Sequence, residues 1–168
     1  VTLCVCIKKE SDEKTFSPVN FFKHFNSMII SHLGVGLLIL GITGSSIWQE
    51  EKITRMKVND ETIIKNYNIV FKEINKLEGP NYYALEGSFW VYNQKNKIIT
   101  VLKPENRIYP VTNNTSSEVS IHTNLLRDLY IVLGEGDINE GWVVRIYYNP
   151  LVAWIWIGVL IIVIGGLL

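Results

Sequence analysis

The sequence predicts an integral membrane α-helical protein with an inserted all-β domain outside the membrane, and two observations predict this fold class. Segments 25–48 and 150–168 are almost entirely apolar, with His32 as their only ionisable residue. The residues between them form short β-branched and aromatic runs separated by turn-forming residues. The chain has 16 basic and 16 acidic residues, so its charge gives no indication of a nucleic-acid partner.

The two apolar segments have the length of membrane spans. A bilayer core of roughly 30 Å is crossed by about 20 apolar residues in a helix. We therefore predict transmembrane helices over 28–48, which carries His32, and over 150–168. A buried helix of a soluble protein is disfavoured as the explanation, because such helices usually keep a polar face and these do not.

The residues before the first predicted helix form two segments. The apolar run 1–7 is too short to cross a membrane and could be the end of a preceding membrane helix; its Cys4 and Cys6 are interpreted as an incidental pair. The segment 8–27 has a small basic excess, which favours a cytoplasmic or matrix loop. We expect the sequence to be part of a larger membrane protein, or one chain of a split one.

The segment 49–149 has the sequence pattern of an antiparallel β-domain. Its strand-like runs are "YNIVFKEI", "YYALEGSFWVY", "NKIITVL", "LYIVLG" and "WVVRIYY". The stretch "VYNQKNKII" predicts a hairpin, and "SSEVSIHTNLLRDL" a helical turn that interrupts the strands. This spacing predicts a small antiparallel sandwich or barrel.

Aromatic residues mark the start of the second predicted helix. They are Tyr147, Tyr148, Trp154 and Trp156. Amphipathic rings favour the membrane interface, so an anchoring role is sufficient to explain all four. Pro150 suits the first turn of a helix, where its missing amide hydrogen costs nothing.

The one ionisable residue of the membrane segments, His32, is a candidate functional residue. A neutral imidazole in a membrane helix needs partners and is a good iron ligand. At helical spacing His32, Gly36 and Thr43 share one face, while Gly34, Gly41 and Ser45 lie on an adjacent one. The small residues could leave room for a flat cofactor, or could allow close helix packing with His32 hydrogen-bonded across the interface. The residues alone leave these interpretations equally open.

Five blocks carry a resemblance to a known family: "SHLGVGLLILGITGSS", "EGPNYYALEGSFWVY", "LKPENRIYPV", "LLRDLYIVLGE" and "WVVRIYYNPLVAWIWIGVLIIVIGGLL". In order and spacing, from Ser31 to Leu168, they resemble the C-terminal part of the cytochrome c-type biogenesis haem lyases of the CcmF family. The resemblance implies an inner-membrane enzyme that attaches haem to apocytochrome c. This chain would be part of such a complex, of the quinol:haem oxidoreductase type, and inactive alone.

The resemblance also implies a role for His32. It occupies the position of one of the two axial ligands of a membrane b-type haem, which relays electrons from quinol to the incoming haem substrate. The implied partners are the rest of the haem lyase with the second axial ligand, a haem chaperone, apocytochrome c with its thiol-reducing partner, and the lipid bilayer. The β-rich domain would lie in the periplasm of a bacterial inner membrane, or in the intermembrane space of mitochondria.

Other polar residues match no ligand of the family. His24 and His122 correspond to none of its haem-ligand histidines, and His122 stands where the family usually has an acidic residue. Arg127 and Asp128 are interpreted as a local ion pair that orders the domain. The alternative function is a non-catalytic membrane assembly protein, whose β-rich domain binds a partner and whose His32 only packs between helices.

Overall fold

The computed structural model describes the backbone of residues 18–168 and the side chains from residue 26 onward. The elements in chain order are α1 (Pro18–Ile47), β1 (Glu50–Met56), β2 (Glu61–Ile64), β3 (Tyr67–Glu78), β4 (Tyr83–Asn93), β5 (Ile98–Leu102), β6 (Glu105–Tyr109), β7 (Asn114–Glu118), β8 (Ser120–Thr123), β9 (Arg127–Asp137), β10 (Gly141–Pro150) and α2 (Val152–Leu167). The expectations for segment 1–7, including Cys4 and Cys6, fall outside the described residues.

The first helix is longer than predicted. The predicted loop 8–27 is helical from Pro18 onward, so this part of the prediction is wrong. Proline suits the first position of a helix because its nitrogen has no hydrogen to leave unbonded. The change from charged to apolar residues near residue 28 shows where the apolar part of α1 begins, but the helix itself begins earlier.

The two helices differ in length. Within the part of the chain that the structure describes, one helix is long and apolar enough to cross a membrane, over Asn26–Ile47. The second helix, α2, is apolar throughout but has 16 residues. At about 1.5 Å per residue it is roughly 24 Å long. Its crossing of the membrane stays a prediction.

The junction between the β-domain and α2 differs from the predicted one. Pro150 is the last residue of β10, where it pairs with Arg127 of β9, so its placement in the first helical turn is wrong. Leu151 takes a left-handed conformation with φ 59°, and the helix begins at the next residue. The chain therefore turns from strand to helix through a single residue.

The β-domain is a sandwich of two antiparallel sheets, as predicted. The first sheet has the strand order β1-β10-β9-β8. The second has six strands, in the order β2-β3-β4-β6-β7, with β5 also paired to β4. The first and last strands of the domain, β1 and β10, are neighbours, so both helices emerge from one sheet.

The central strand of the larger sheet, β4, has two partners along one edge. Its first half, from Tyr83 to Glu86, pairs with β6, and its second half, from Phe89 to Tyr92, pairs with β5. The predicted hairpin forms between β4 and β5. In its turn the Asn93 side-chain oxygen accepts hydrogen bonds from the amides of Lys95 and Lys97 at 2.9 and 3.0 Å.

The core lies between the sheets and is apolar. Leu129, Ile131 and Leu133 point inward from alternate positions of β9 and are fully buried. Phe71 of β3 stacks on Phe89 of β4 with ring centroids 4.5 Å apart. Strict alternation of this kind is the pattern of a strand with one face on the core.

The predicted helical turn in "SSEVSIHTNLLRDL" is wrong. This stretch contains the end of β7, all of β8 and the start of β9. Ile121, Leu125 and Leu126 have the spacing of a helical face, but their side chains are exposed and contribute nothing to the core. Helical spacing of apolar residues therefore does not indicate a helix here.

Candidate functional site

The two helices pack closely through glycines. A Cβ atom on Gly34 of α1 would lie 2.8 Å from the Gly158 carbonyl oxygen of α2, and one on Gly41 would lie 2.8 Å from the Ile155 amide nitrogen. Ser27 also donates a hydrogen bond to the Gly165 carbonyl. Small residues at such positions let helix backbones approach each other. The Gly34 and Gly41 face of α1 is therefore a helix-packing face.

His32 lies on a different, exposed face of α1. Its Nδ1 is 2.7 Å from the carbonyl oxygen of Met28, one turn earlier. A carbonyl oxygen only accepts hydrogen bonds, so in the neutral imidazole Nδ1 carries the proton and Nε2 keeps a free lone pair. His32 is 15 residues before the end of α1 at Ile47, so it lies about 22 Å from the β-domain end of the helix.

The surface around His32 is apolar and open. Met28, Ile29 and Leu33 line a shallow depression with the imidazole. Gly36 follows one turn later, and a Cβ atom placed on it would contact nothing within 4 Å. The two faces of small residues noted in the sequence thus differ: Gly34 and Gly41 are covered by α2, whereas Gly36 adjoins free space beside the imidazole.

The chain has two other histidines, His24 and His122. His122 is half-buried on β8, opposite Leu129 of β9. His24 is in α1, and its side chain lies outside the described residues. Among the side chains that the structure describes, from residue 26 onward, no cluster of three or more His, Cys, Asp and Glu could hold a metal ion. The described residues therefore offer His32 as a single donor rather than as part of a ligand set.

Arg127 and Asp128 do not form the expected ion pair, since neither belongs to any salt bridge within the described residues. They are neighbours on a strand, and neighbouring side chains point to opposite faces of a sheet. Arg127 instead donates a hydrogen bond from Nε to the Tyr67 hydroxyl, and its guanidinium carbon lies 4.0 Å from the centre of the Tyr67 ring.

The aromatic residues near α2 have three different environments. Tyr147 and Tyr148 belong to β10 and stack on Tyr130 and Tyr67, respectively. Trp154 donates a hydrogen bond from its indole nitrogen to the Leu125 carbonyl oxygen at 2.9 Å. Trp156 is exposed. The Trp154 bond could not be predicted from the sequence, because its acceptor is a backbone atom 29 residues away.

A polar groove crosses the side of the sandwich, between β6–β7 and β9–β10. Its lining includes Asn106, Ser117, Glu135, Arg145 and Tyr147. A hydrogen bond with Glu51, followed in size by partial burial, raises the pKa of the Tyr147 hydroxyl. The groove therefore presents a neutral phenol beside charged groups, which suits hydrogen bonding rather than apolar contact.

Comparison with known proteins identifies the family of this chain. Residues 47–150 match the family model described as the CcmF C-terminal beta-sandwich, which covers more than half of the chain. The chain belongs to the CcmF family. It is 38% identical over 141 residues to the cytochrome c-type biogenesis protein CcmF of Escherichia coli (strain K12), and 37% identical over 141 residues to CcmF of Pseudomonas aeruginosa.

The matches to CcmF proteins cover most of this chain and a small part of each relative. The alignments include 84% of this chain but 22% of the Escherichia coli protein and 21% of the Pseudomonas aeruginosa protein. A solved structure titled cytochrome c heme lyase CcmF has the same fold, with a TM-score of 0.68 and 17% identity over 91% of this chain and 26% of that one. The chain thus spans about a fifth of the length of these curated relatives.

Proposed function

We propose that this chain forms the C-terminal part of a cytochrome c maturation haem lyase, in which His32 is one axial ligand of a membrane b-type haem. The hydrogen bond from Nδ1 to the Met28 carbonyl is the observation that carries this proposal. It fixes the ring and leaves Nε2 as the free donor atom, which is the arrangement of a metal-ligating histidine. Gly36 leaves open space on the same face.

The residues around His32 fit such a group. A neutral imidazole nitrogen is a common ligand of haem iron. The neighbouring side chains of Met28, Ile29 and Leu33 are apolar, which suits contact with a porphyrin. The depression beside His32 is lined only by Met28, Ile29 and Leu33 among the described residues, so we expect the second axial ligand to come from another part of the haem lyase.

Each part of the helix pair would have a separate task. The Met28 carbonyl orients the imidazole, and Gly34 and Gly41 hold α1 against α2 so that the face with His32 stays outward. When bound, the haem supplies reversible one-electron transfer, with a potential that depends on its ligands and burial.

The wider proposal follows the family resemblance. Quinol would supply electrons, and the incoming haem, delivered by a chaperone, would be joined to reduced cysteine thiols of apocytochrome c. The two helices would lie in a bacterial inner membrane or a mitochondrial inner membrane. The β-sandwich would then face the periplasm or the intermembrane space.

Replacement of His32 in the full-length haem lyase tests this proposal. We expect His32→Ala to abolish the reduced b-type haem spectrum and cytochrome c maturation while the protein still inserts, because Ala is a good helix former and the helix stays apolar. His122→Ala is the matched control, and this variant should keep the reduced b-type haem spectrum and cytochrome c maturation. Normal haem and maturation in His32→Ala would instead favour the assembly protein, in which His32 only packs.

A further inference from the structure

The loop between β8 and β9, residues Asn124, Leu125 and Leu126, exposes two large apolar side chains. Leu125 is 60% exposed and Leu126 is 64% exposed. Loops on a water-exposed surface more often carry polar residues at such positions. Two adjacent exposed leucines in a three-residue loop therefore indicate an apolar surface that contacts another molecule.

Two hydrogen bonds fix this loop against the start of α2. The Leu151 amide, at the turn into the helix, donates to the Leu126 carbonyl oxygen at 2.9 Å. The Trp154 indole nitrogen, in the first helical turn, donates to the Leu125 carbonyl oxygen at 2.9 Å. The loop therefore lies at the level where the chain leaves the β-domain and enters α2.

Four of the six backbone N–H and C=O groups of the loop are hydrogen-bonded within the protein. The Asn124 side-chain oxygen accepts from the amides of Leu126 and Arg127 at 2.9 Å each, and the Asn124 amide donates to the Arg127 carbonyl at 2.9 Å. A segment in contact with hydrocarbon must satisfy its polar backbone groups internally, because lipid tails offer no partners. The loop satisfies most of its backbone groups in this way while presenting leucines outward, which suits the interfacial layer rather than the centre of the bilayer.

The end of α1 lies at the same level. A Cβ atom on Gly44 would lie 2.6 Å from the Leu151 side chain, so this turn of α1 adjoins the start of α2. One turn later Ile47 and Trp48 are exposed. Tryptophan favours the membrane interface. The leucines of the loop and the end of α1 thus place apolar groups at the same end of the helix pair.

We propose that the loop inserts Leu125 and Leu126 into the interfacial layer of the lipid bilayer beside α2. This inference rests on the proposed membrane placement of the two helices. The loop would be a third contact with the bilayer, and it would fix the tilt of the β-sandwich because it belongs to the same sheet as β9 and β10. The two leucine side chains would contact the part of the lipid acyl chains that lies next to the headgroups.

Spin-label accessibility in the full-length protein in lipid nanodiscs tests this proposal. A nitroxide is attached to Leu126→Cys in a background without other reactive cysteines, and its collisions with oxygen and with a water-soluble nickel chelate are measured. Leu160→Cys, on the exposed surface of α2, is the membrane reference. Ile138→Cys, 81% exposed beyond the other end of β9, is the aqueous reference.

We expect the Leu126 label to resemble the Leu160 label, with several-fold more collisions with oxygen than with nickel, while the Ile138 label shows the reverse. A Leu126 label that matches Ile138 would overturn the inference and leave the helices in the membrane. A Leu126 label shielded from both reagents would also overturn it, because another protein segment would then cover the loop. An aqueous Leu160 label would instead contradict the proposed membrane placement.

Discussion

A Cβ atom on Gly34 of α1 would lie 2.8 Å from the carbonyl oxygen of Gly158 in α2. This separation is shorter than any real Cβ contact, so the two backbones touch with no room for a methyl group. Gly36, two residues later on α1, has nothing within 4 Å of the same position. The two glycines therefore form a matched pair for separating helix packing from the open face.

We predict that Gly34→Ala destabilises the helix pair by about 1–3 kcal/mol, because overpacking forces the backbones apart. Gly36→Ala should leave the stability of the pair unchanged. Thermal unfolding of the full-length protein in detergent, followed by loss of soluble protein, measures the difference. Equal midpoints for the two variants would contradict the close contact between α1 and α2.

A larger side chain at Gly36 should affect haem binding instead of packing. We expect Gly36→Leu to lower the ratio of b-type haem to protein, since its side chain would occupy the free space beside His32. Gly166→Leu is the control, because a Cβ atom at Gly166 in α2 also meets nothing within 4 Å. A pyridine haemochrome assay gives the ratio. Unchanged haem in Gly36→Leu would place the cofactor elsewhere.

Arg127 is predicted to be a structural residue whose geometry lysine cannot reproduce. It is 9% exposed, its Nε bonds to Tyr67, and its planar guanidinium lies over the same ring. Arg127→Lys should cost about 1–3 kcal/mol, because a buried hydrogen bond to a charged group is lost. Proteolysis of the β-sandwich in urea measures the cost.

Arg55→Lys is the control for that experiment. Arg55 pairs with Glu140 at 3.0 Å, and both side chains are more than half exposed. Exposed ion pairs contribute little to stability, so this variant should unfold at the same urea concentration as the parent protein. Equal stability of the Arg127→Lys variant would contradict the structural role of the guanidinium.

Trp154 should behave differently from Trp156, although the sequence suggests an anchor role for both. Trp154→Phe removes the hydrogen bond to Leu125, at a cost of about 1 kcal/mol. We expect faster amide hydrogen exchange in residues 124–126, with insertion and haem content preserved. Trp156→Phe should leave that exchange unchanged. Loss of haem in either variant would show that the aromatic residue has a functional role.

Much of the fold could be predicted because its central strands are rich in β-branched and aromatic residues and are bounded by turn-forming residues. β9 and β10 contain the β-branched and aromatic runs "LYIVLG" and "WVVRIYY", and the β4–β5 turn has an Asn-rich sequence typical of hairpins. The short strands β6, β7 and β8 have mixed polar sequences with little periodicity. Their structure depends on pairing with distant strands, which no local pattern encodes.

The candidate site could be predicted only in part. An ionisable residue in an apolar helix is visible in the sequence, so His32 stood out. The division of the glycines could not be predicted, because Gly34 and Gly36 differ only in whether α2 covers them. The hydrogen bond from His32 to Met28 could not be predicted either. Its acceptor is a backbone carbonyl oxygen, which every residue has, so the residue type at position 28 does not indicate the bond.

Chemical rescue of His32→Gly tests the central claim most directly. In the full-length protein, the variant is titrated with imidazole while the absorption spectrum of the reduced b-type haem is recorded. A ligand role predicts that the variant lacks the low-spin spectrum and that imidazole restores it, because the added ring can replace the missing nitrogen. A normal low-spin spectrum without imidazole would contradict the assignment of His32 as an axial ligand.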